Sequence, residues 1–294
     1  MIDLGSFSNN VRKLWDRMNP CVLCPRNCRV NRHESQIGFC GIGAEPVVSS
    51  VTPHFGEESV LVGPGGSGTI FFAGCSLRCV FCQNYDISQS RIGRRITIER
   101  LAGSMLELQD MGCSNINLVT PTHVAAPIAA AIELARKEGL TLPTVYNSGG
   151  YDSVETLRLL EGLIDIYMPD MKYADAEVAE RLSCARDYPQ INFAAVKEMH
   201  RQVGDLQVED GLATRGLLVR HLVLPNDLAG SFRIIDFLAD EISLQTVINI
   251  MDQYHPCFEA ALHPEINRRP TRDEITRPRR HAIQKGLDVL DESA

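Results

Sequence analysis

Three cysteines, Cys75, Cys79 and Cys82, stand at C-x3-C-x2-C spacing in the run TIFFAGCSLRCVFCQNYDISQ, directly after the β-rich residues 69–73. One loop with thiols at this spacing can wrap three corners of a cubane 4Fe–4S cluster. Three thiolates leave one iron without a protein ligand, and that iron can bind and activate a molecule; four thiolates usually make an electron carrier. A zinc site would ask for a fourth ligand nearby, and a disulfide would leave an odd thiol.

A second set, Cys21, Cys24, Cys28 and Cys40, reads C-x2-C-x3-C-x11-C. Four thiolates suit either a tetrahedral zinc ion or a fully ligated second iron–sulfur cluster, because both take soft sulfur ligands. Spacing leaves the two metals open; either would stabilise a short segment that lacks a core. The remaining Cys113, Cys184 and Cys257 have no partner spacing and read as free thiols. Cys257, close to His255, is the one to test as a hydrogen-atom relay or substrate thiol.

The 294 residues are long enough for one large α/β domain or a main domain with an appendage. Apolar residues at 44% and charged residues at 22% are ordinary globular values. The net charge of −8 argues against a broad phosphate-binding face and so against nucleic acid as a partner. No run of about 18 apolar residues suggests a membrane helix. The opening MIDLGSFSNNVRKLWDRMNP lacks the basic start and apolar middle of a signal peptide. The expectation is a cytoplasmic chain, where reducing conditions favour metal ligands and free thiols over disulfides.

The elements that must position these residues change character near residue 65. Residues 1–65 read as a loop-rich, cysteine-rich extension closed by GPGGSG at 63–68, and residues 66–294 as the main domain. From Thr69 onward, short β-branched or aromatic runs alternate with segments of helical period, which predicts βα repeats and a parallel sheet. The candidate strands are TIFFAG, INLVTP, TVYNSG, IDIYMPD, LLVRHLVLP and TVINIMDQY. Helices are expected between them, one of them running from Ala174 to Val203. A last helix follows the sixth strand, with Thr271 or Asp273 as N-cap and Pro278 breaking or kinking it. Six such units suit an α/β fold that is an open, partial (β/α)6 TIM-like barrel. Polar residues then collect at the C-terminal ends of the strands, where parallel α/β folds place their sites.

At Cys75, Cys79 and Cys82 the sequence resembles the radical S-adenosylmethionine (radical SAM) superfamily, whose hallmark places an aromatic residue before the third cysteine; Phe81 stands there. The run GSGTIFFAGCSLRCVFCQNYDIS, with the N-terminal cysteines, more narrowly resembles the homologues of pyruvate formate-lyase activating enzyme. The resemblance implies a radical SAM enzyme with a 4Fe–4S cluster whose open iron is chelated by SAM. It implies reductive cleavage of SAM to a 5′-deoxyadenosyl radical for hydrogen abstraction, with reduced flavodoxin or ferredoxin as electron donor. The substrate it suggests is a glycyl-radical enzyme. Radical modification of another protein, peptide or small molecule is the alternative, and an iron–sulfur electron carrier or metal-binding interaction module the reading from another class.

The same resemblance distributes roles along the strand ends. Phe81 would lie against the adenine. Thr120 and Thr122, followed by His123, occupy the place where many relatives carry a Gly-Gly-Glu motif for the SAM amino group. Asp170 and Lys172, two residues apart and so on one strand face, match an Asp-x-Lys of the activating enzyme. That match implies Lys172 for the SAM carboxylate, and Asp170 and Met168 with Asn147 or Ser148 for a monovalent cation. Arg220 is expected to reach SAM, with His221 on the opposite face, and His255 to contact the ribose. HFGEE at 54–58 reads as a solvated acidic turn, the alternative being that His54, Glu57 and Glu58 line the substrate mouth.

Overall fold

A computed structural model describes residues 4–290. Helix α1 (Asn9–Asp16) comes first, capped by the Ser8 hydroxyl, followed by β1 (Val47–His54) and β2 (Ser67–Phe72). After the one-turn helix α2 (Tyr85–Ser88) and the two-residue β3 (Arg94–Arg95), helix and strand alternate. They are α3 (Ile98–Asp110), β4 (Ile116–Val119), α4 (Ala125–Lys137), β5 (Thr144–Ser148), α5 (Val154–Leu160) and β6 (Ile166–Pro169). Then follow α6 (Ala176–Ser183), α7 (Tyr188–Val203), β7 (Gln207–Glu209), β8 (Leu212–Leu222), α8 (Ser231–Glu241), β9 (Val247–Met251), α9 (Arg272–Lys285) and β10 (Asp288–Val289).

Strands β2, β4, β5, β6, β8 and β9 pair in parallel in that order, and they coincide with the six expected strands. β1 adds antiparallel to β2, β3 to β1 and β7 to β8, while β10 extends the other edge in parallel. Among the described residues no pairing joins β3 to β10, so the mostly parallel sheet stays open, as a partial barrel does. β1 lies within the expected 1–65 extension, so the backbone pairs across the division at residue 65. Among the described residues no helix is long and apolar enough to cross a membrane.

Strand alternation sorts the core into two faces. Ile70, Leu118, Tyr146, Tyr167, Val219 and Ile250 join the layer beneath the helices. Leu61, Val145, Ile166, Met168, Leu218 and Val247 form a second apolar layer on the opposite face. Asn147, Asp170 and Arg220 follow Val145, Met168 and Leu218 by two residues each. They therefore lie on that same inner face, one step nearer the C-terminal ends of the strands.

Two helical expectations change. The stretch from Ala174 to Val203 is two helices, broken at Cys184, whose φ of 52° no helix accommodates; Pro189 lies in the first turn of α7, where a missing N–H costs nothing. Pro278 sits inside α9 without ending it, and Thr271, not Asp273, caps that helix in a reciprocal capping box with Glu274.

Candidate active site

The cysteine loop leaves β2 through Gly74, at φ 82°, where an added Cβ would lie 2.7 Å from the Cys40 carbonyl oxygen. Glycine is needed for so close an approach. Beyond it, each of the three sulfurs has a polar neighbour. The Leu77 amide donates to Cys75 Sγ at 3.3 Å and the Ser183 hydroxyl to Cys79 Sγ at 3.0 Å, while Cys82 Sγ lies 3.2 Å from Ser88 Oγ. The end of α6 anchors the loop, since the Arg78 and Val80 amides donate to the carbonyls of Ser183 and Leu182. Burial pushes the Cys75 thiol up to about 12, with Cys79 adding to the push. Thiols so placed become thiolates when a metal takes them as ligands.

Opposite the loop, the strand ends supply charge. Arg220 donates through Nε to Asp170 Oδ1 at 3.0 Å and through Nη2 to Asn147 Oδ1 at 2.7 Å. Lys172 Nζ donates to the other Asp170 oxygen at 2.6 Å. Burial alone would raise the Asp170 carboxyl, but Arg220 and Lys172 hold it below the usual carboxylate range. Burial would likewise lower Lys172, but Asp170 and Cys79 raise it to about 12. The centre therefore keeps two cations and one carboxylate charged near neutral pH. His221 points the other way, with Nδ1 2.7 Å from the Met171 carbonyl and Nε2 2.8 Å from Ser231 Oγ, as alternation requires.

Helix α7 fixes this geometry from outside, a contribution with no signature in the sequence. The Tyr188 hydroxyl lies 2.9 Å from the carbonyls of both Gly149 and Asp170 and accepts from the Lys172 amide at 3.0 Å. Asn192 Nδ2 donates to the Gly150 and Asp170 carbonyls, each at 3.0 Å.

Cys75, Cys79, Cys82, Phe81, Thr120, Asn147, Ser148, Asp170, Lys172 and Arg220 all line one cavity of about 260 Å³, near the lower end for small-molecule sites. Gln83, Asn84, Ser88, Leu222 and Tyr254 line it too and were not expected there. Phe81 packs edge to face on Tyr254 at 5.6 Å. Thr120 holds φ 62°, an uncommon conformation for a β-branched residue, and its amide donates to the Asn147 carbonyl at 2.9 Å.

Other expected residues lie elsewhere. Thr122 is buried beside Asp152 and Tyr146, outside the cavity. His123 is buried against the Ala73 carbonyl at 2.8 Å and held neutral, burial bringing its pKa down to about 3; it supports the start of the cysteine loop. Met168 packs in the inner apolar layer, and Asp170 already faces two cations, so these residues do not fit the expected monovalent cation site. His255 is exposed at the rim, its Nδ1 3.5 Å from Nε2 of cavity-lining Gln83. Cys257 Sγ donates to the Phe81 carbonyl at 3.1 Å, behind the loop. Glu58 is buried rather than on a solvated turn, and its Oε1 lies 3.7 Å from Arg220 Nη1.

A family model described as the radical SAM superfamily matches residues 69–227, which include the whole cysteine loop and the strand ends through Arg220. The chain belongs to the radical SAM superfamily. Among relatives, the uncharacterised protein MJ0674 of Methanocaldococcus jannaschii is 36% identical over 280 residues, covering 92% of this chain and 76% of its own. The pyruvate formate-lyase 1-activating enzyme of Escherichia coli strain K12 is 28% identical over 141 residues, 45% of this chain and 56% of that enzyme. Streptococcus suis SuiB, solved with S-adenosylmethionine bound, shares the fold at a TM-score of 0.50 and 11% identity. That likeness covers 75% of this radical SAM chain and 48% of SuiB.

Membership in the radical SAM superfamily implies a 4Fe–4S cluster and SAM. The residues fit both groups by their chemistry. Three sulfur donors with their own hydrogen-bond partners line one wall, and the cavity they share holds cationic and anionic side chains for a zwitterionic amino acid moiety.

Proposed function

We propose that this chain cleaves S-adenosylmethionine reductively and uses the product radical to abstract a hydrogen atom, with the strand-end cavity as the active site. The observation that carries the reading is that Cys75, Cys79 and Cys82 share one cavity with Asp170, Lys172 and Arg220 in a chain of this superfamily. When bound, the cluster and SAM supply one-electron cleavage of a carbon–sulfur bond and a 5′-deoxyadenosyl radical.

The chain's own residues bind and orient. Cys75, Cys79 and Cys82 would hold the cluster. Lys172, kept charged and aimed by Asp170, would meet the SAM carboxylate, and Arg220 would contribute a second positive charge. Thr120 takes the place of the absent Gly-Gly-Glu at the end of β4, offering its hydroxyl to the ammonium group. Phe81, braced by Tyr254, would pack on the adenine, and His255 at the rim is the candidate ribose contact. Ser148 serves as a positioning residue, because its hydroxyl donates to buried Asp152 at 2.7 Å. Residues 1–65 and 66–294 are read as extension and main domain.

The narrower substrate reading is a backbone glycine of a glycyl-radical enzyme, with reduced flavodoxin or ferredoxin supplying the electron in the cytoplasm. Its support is the similarity to the pyruvate formate-lyase 1-activating enzyme. Anaerobic reconstitution, reduction and incubation with SAM should yield 5′-deoxyadenosine; none from a fully loaded protein overturns the enzyme reading. Cys79→Ala should abolish the product. Candidate glycyl-radical proteins can then be screened by electron paramagnetic resonance, and no radical on any of them removes the substrate reading alone.

A further inference from the structure

The second cysteine set adjoins a buried charge. Arg32 is only 1% exposed. Its Nε and Nη2 donate to the Gly43 carbonyl at 3.0 and 2.5 Å, and its Nη1 to the His123 carbonyl at 2.6 Å. The same Nη1 lies 4.0 Å from Cys21 Sγ. These contacts are to carbonyl oxygens and sulfur, so among the described residues no carboxylate balances the guanidinium. A buried cation of this kind needs an anion beside it.

The backbone brings the segments that carry the four thiols together. The Cys21 amide donates to the Val30 carbonyl at 2.9 Å and the Arg29 amide to the Cys21 carbonyl at 3.0 Å. Together they bring Cys21 beside the segment that follows Cys28. The turn between takes left-handed conformations at Asn27 and Arg29, with φ 44° and 57°. The Phe39 amide donates to Cys28 Sγ at 3.3 Å, and a Cβ on Gly38 would lie 2.7 Å from that sulfur, so Cys28 sits hard against the strand of chain that carries Cys40. The Asn27 amide donates to the Cys24 carbonyl at 3.1 Å, closing the turn between Cys24 and Cys28, and Cys24 and Cys40 are both buried.

We propose that Cys21, Cys24, Cys28 and Cys40 hold a second iron–sulfur cluster, whose negative charge is the counterion of Arg32. A single zinc would need these side chains to converge on one point, which a cluster would not. Thiolates on a single zinc lie about 3.8 Å apart, given bonds of about 2.3 Å at tetrahedral angles. Among the described residues no three His, Cys, Asp or Glu side chains converge on a single-ion position. The same holds at Cys75, Cys79 and Cys82, where the superfamily's occupant is a cluster. The two sets adjoin one another, since the Cys40 carbonyl abuts Gly74, and Arg78 donates to the Cys75 carbonyl at 3.3 Å and to that of Phe39.

The triple variant Cys75→Ala/Cys79→Ala/Cys82→Ala separates this site from the first, and metal analysis reads it whether or not SAM is cleaved. After anaerobic reconstitution it should retain about four iron and about four sulfide per chain, with the absorption of an iron–sulfur cluster. About one zinc without sulfide, or a folded chain without iron, would overturn the proposal. Adding Cys24→Ser and Cys28→Ser should remove the remaining iron; retained iron would count against these ligands. Because cysteine variants can misfold, Arg32→Gln in the full-length, cluster-loaded protein gives a second readout. Loss of the cation should lower the midpoint potential of the second cluster in a redox titration, and an unchanged potential would overturn the pairing.

Discussion

Asp170 Oδ1 lies 2.9 Å from Arg220 Nη2 across the seam between β6 and β8, although the residues are fifty apart in the chain. The Met171 amide donates to the Arg220 carbonyl at 2.8 Å, so the backbone pairing that joins the strands also delivers the ion pair. Both side chains are mostly withdrawn from water, and Lys172 shares the same carboxylate.

Replacing Asp170 by Asn leaves Lys172 facing Arg220 in a largely buried site, with Glu58, 3.7 Å from Arg220, as a remaining carboxylate. Removing one partner of a buried pair typically costs about 3–5 kcal/mol. Asp170→Asn is therefore expected to lower unfolding stability in that range, in urea at neutral pH; a loss below about 1 kcal/mol would show the triad is solvated.

Lys172→Met should weaken SAM binding about ten- to a hundredfold, corresponding to the 1.5–3 kcal/mol of a charged hydrogen bond. Iron content should stay at the wild-type level, since the three thiolates are untouched. Equilibrium dialysis of the cluster-loaded protein checks this, and an unchanged Kd would take Lys172 out of the SAM site.

Gly150 stands at φ 71°, and a Cβ there would lie 2.1 Å from the Asp170 carbonyl oxygen. Gly162, at φ 83°, has open space around the same position. Gly162→Ala should cost backbone strain alone, about 1 kcal/mol, and Gly150→Ala at least about 2 kcal/mol because backbone must also move. Thermal unfolding of the two variants side by side makes the comparison, and equal losses would contradict it.

His123 has a folded-state pKa brought down to about 3 by burial, so between about pH 6.5 and that value the unfolded chain binds a proton the native protein refuses. Its contribution to stability is complete above about pH 6.5 and declines by about 1.4 kcal/mol for each pH unit below it. His123→Gln, which keeps a donor for the Ala73 carbonyl, should lose less stability than wild type between pH 7 and pH 5 in urea unfolding. Parallel losses would show that His123 is not the group responsible.

The six parallel strands and the cysteine loop were legible in the sequence because both are local. Strand runs announce themselves by composition, and ligand spacing along one loop survives any tertiary arrangement. The shared face of Asp170 and Lys172 was legible for the same reason, as period-two alternation fixes which residues share a strand face; it also put Arg220 and His221 on opposite faces, and the family resemblance chose Arg220. Met168 as a cation ligand was implied by the family resemblance and not by alternation. It shares the face of Asp170 but sits one step deeper, where Val145, Leu218 and Leu61 leave only apolar surroundings.

Sequence by itself determined the three-thiol loop, the βα order and the set of charged residues at the strand ends, because each depends on neighbours only a few positions away. Tertiary structure decided which of them meet. Arg220 reaches Asp170 through a strand pairing, Tyr188 pins the strand end from a helix, Thr122 turns to Asp152, and Arg32 is buried beside Cys21. Each of those outcomes rests on contacts between distant segments, whose depth and partner exist only once the chain has packed.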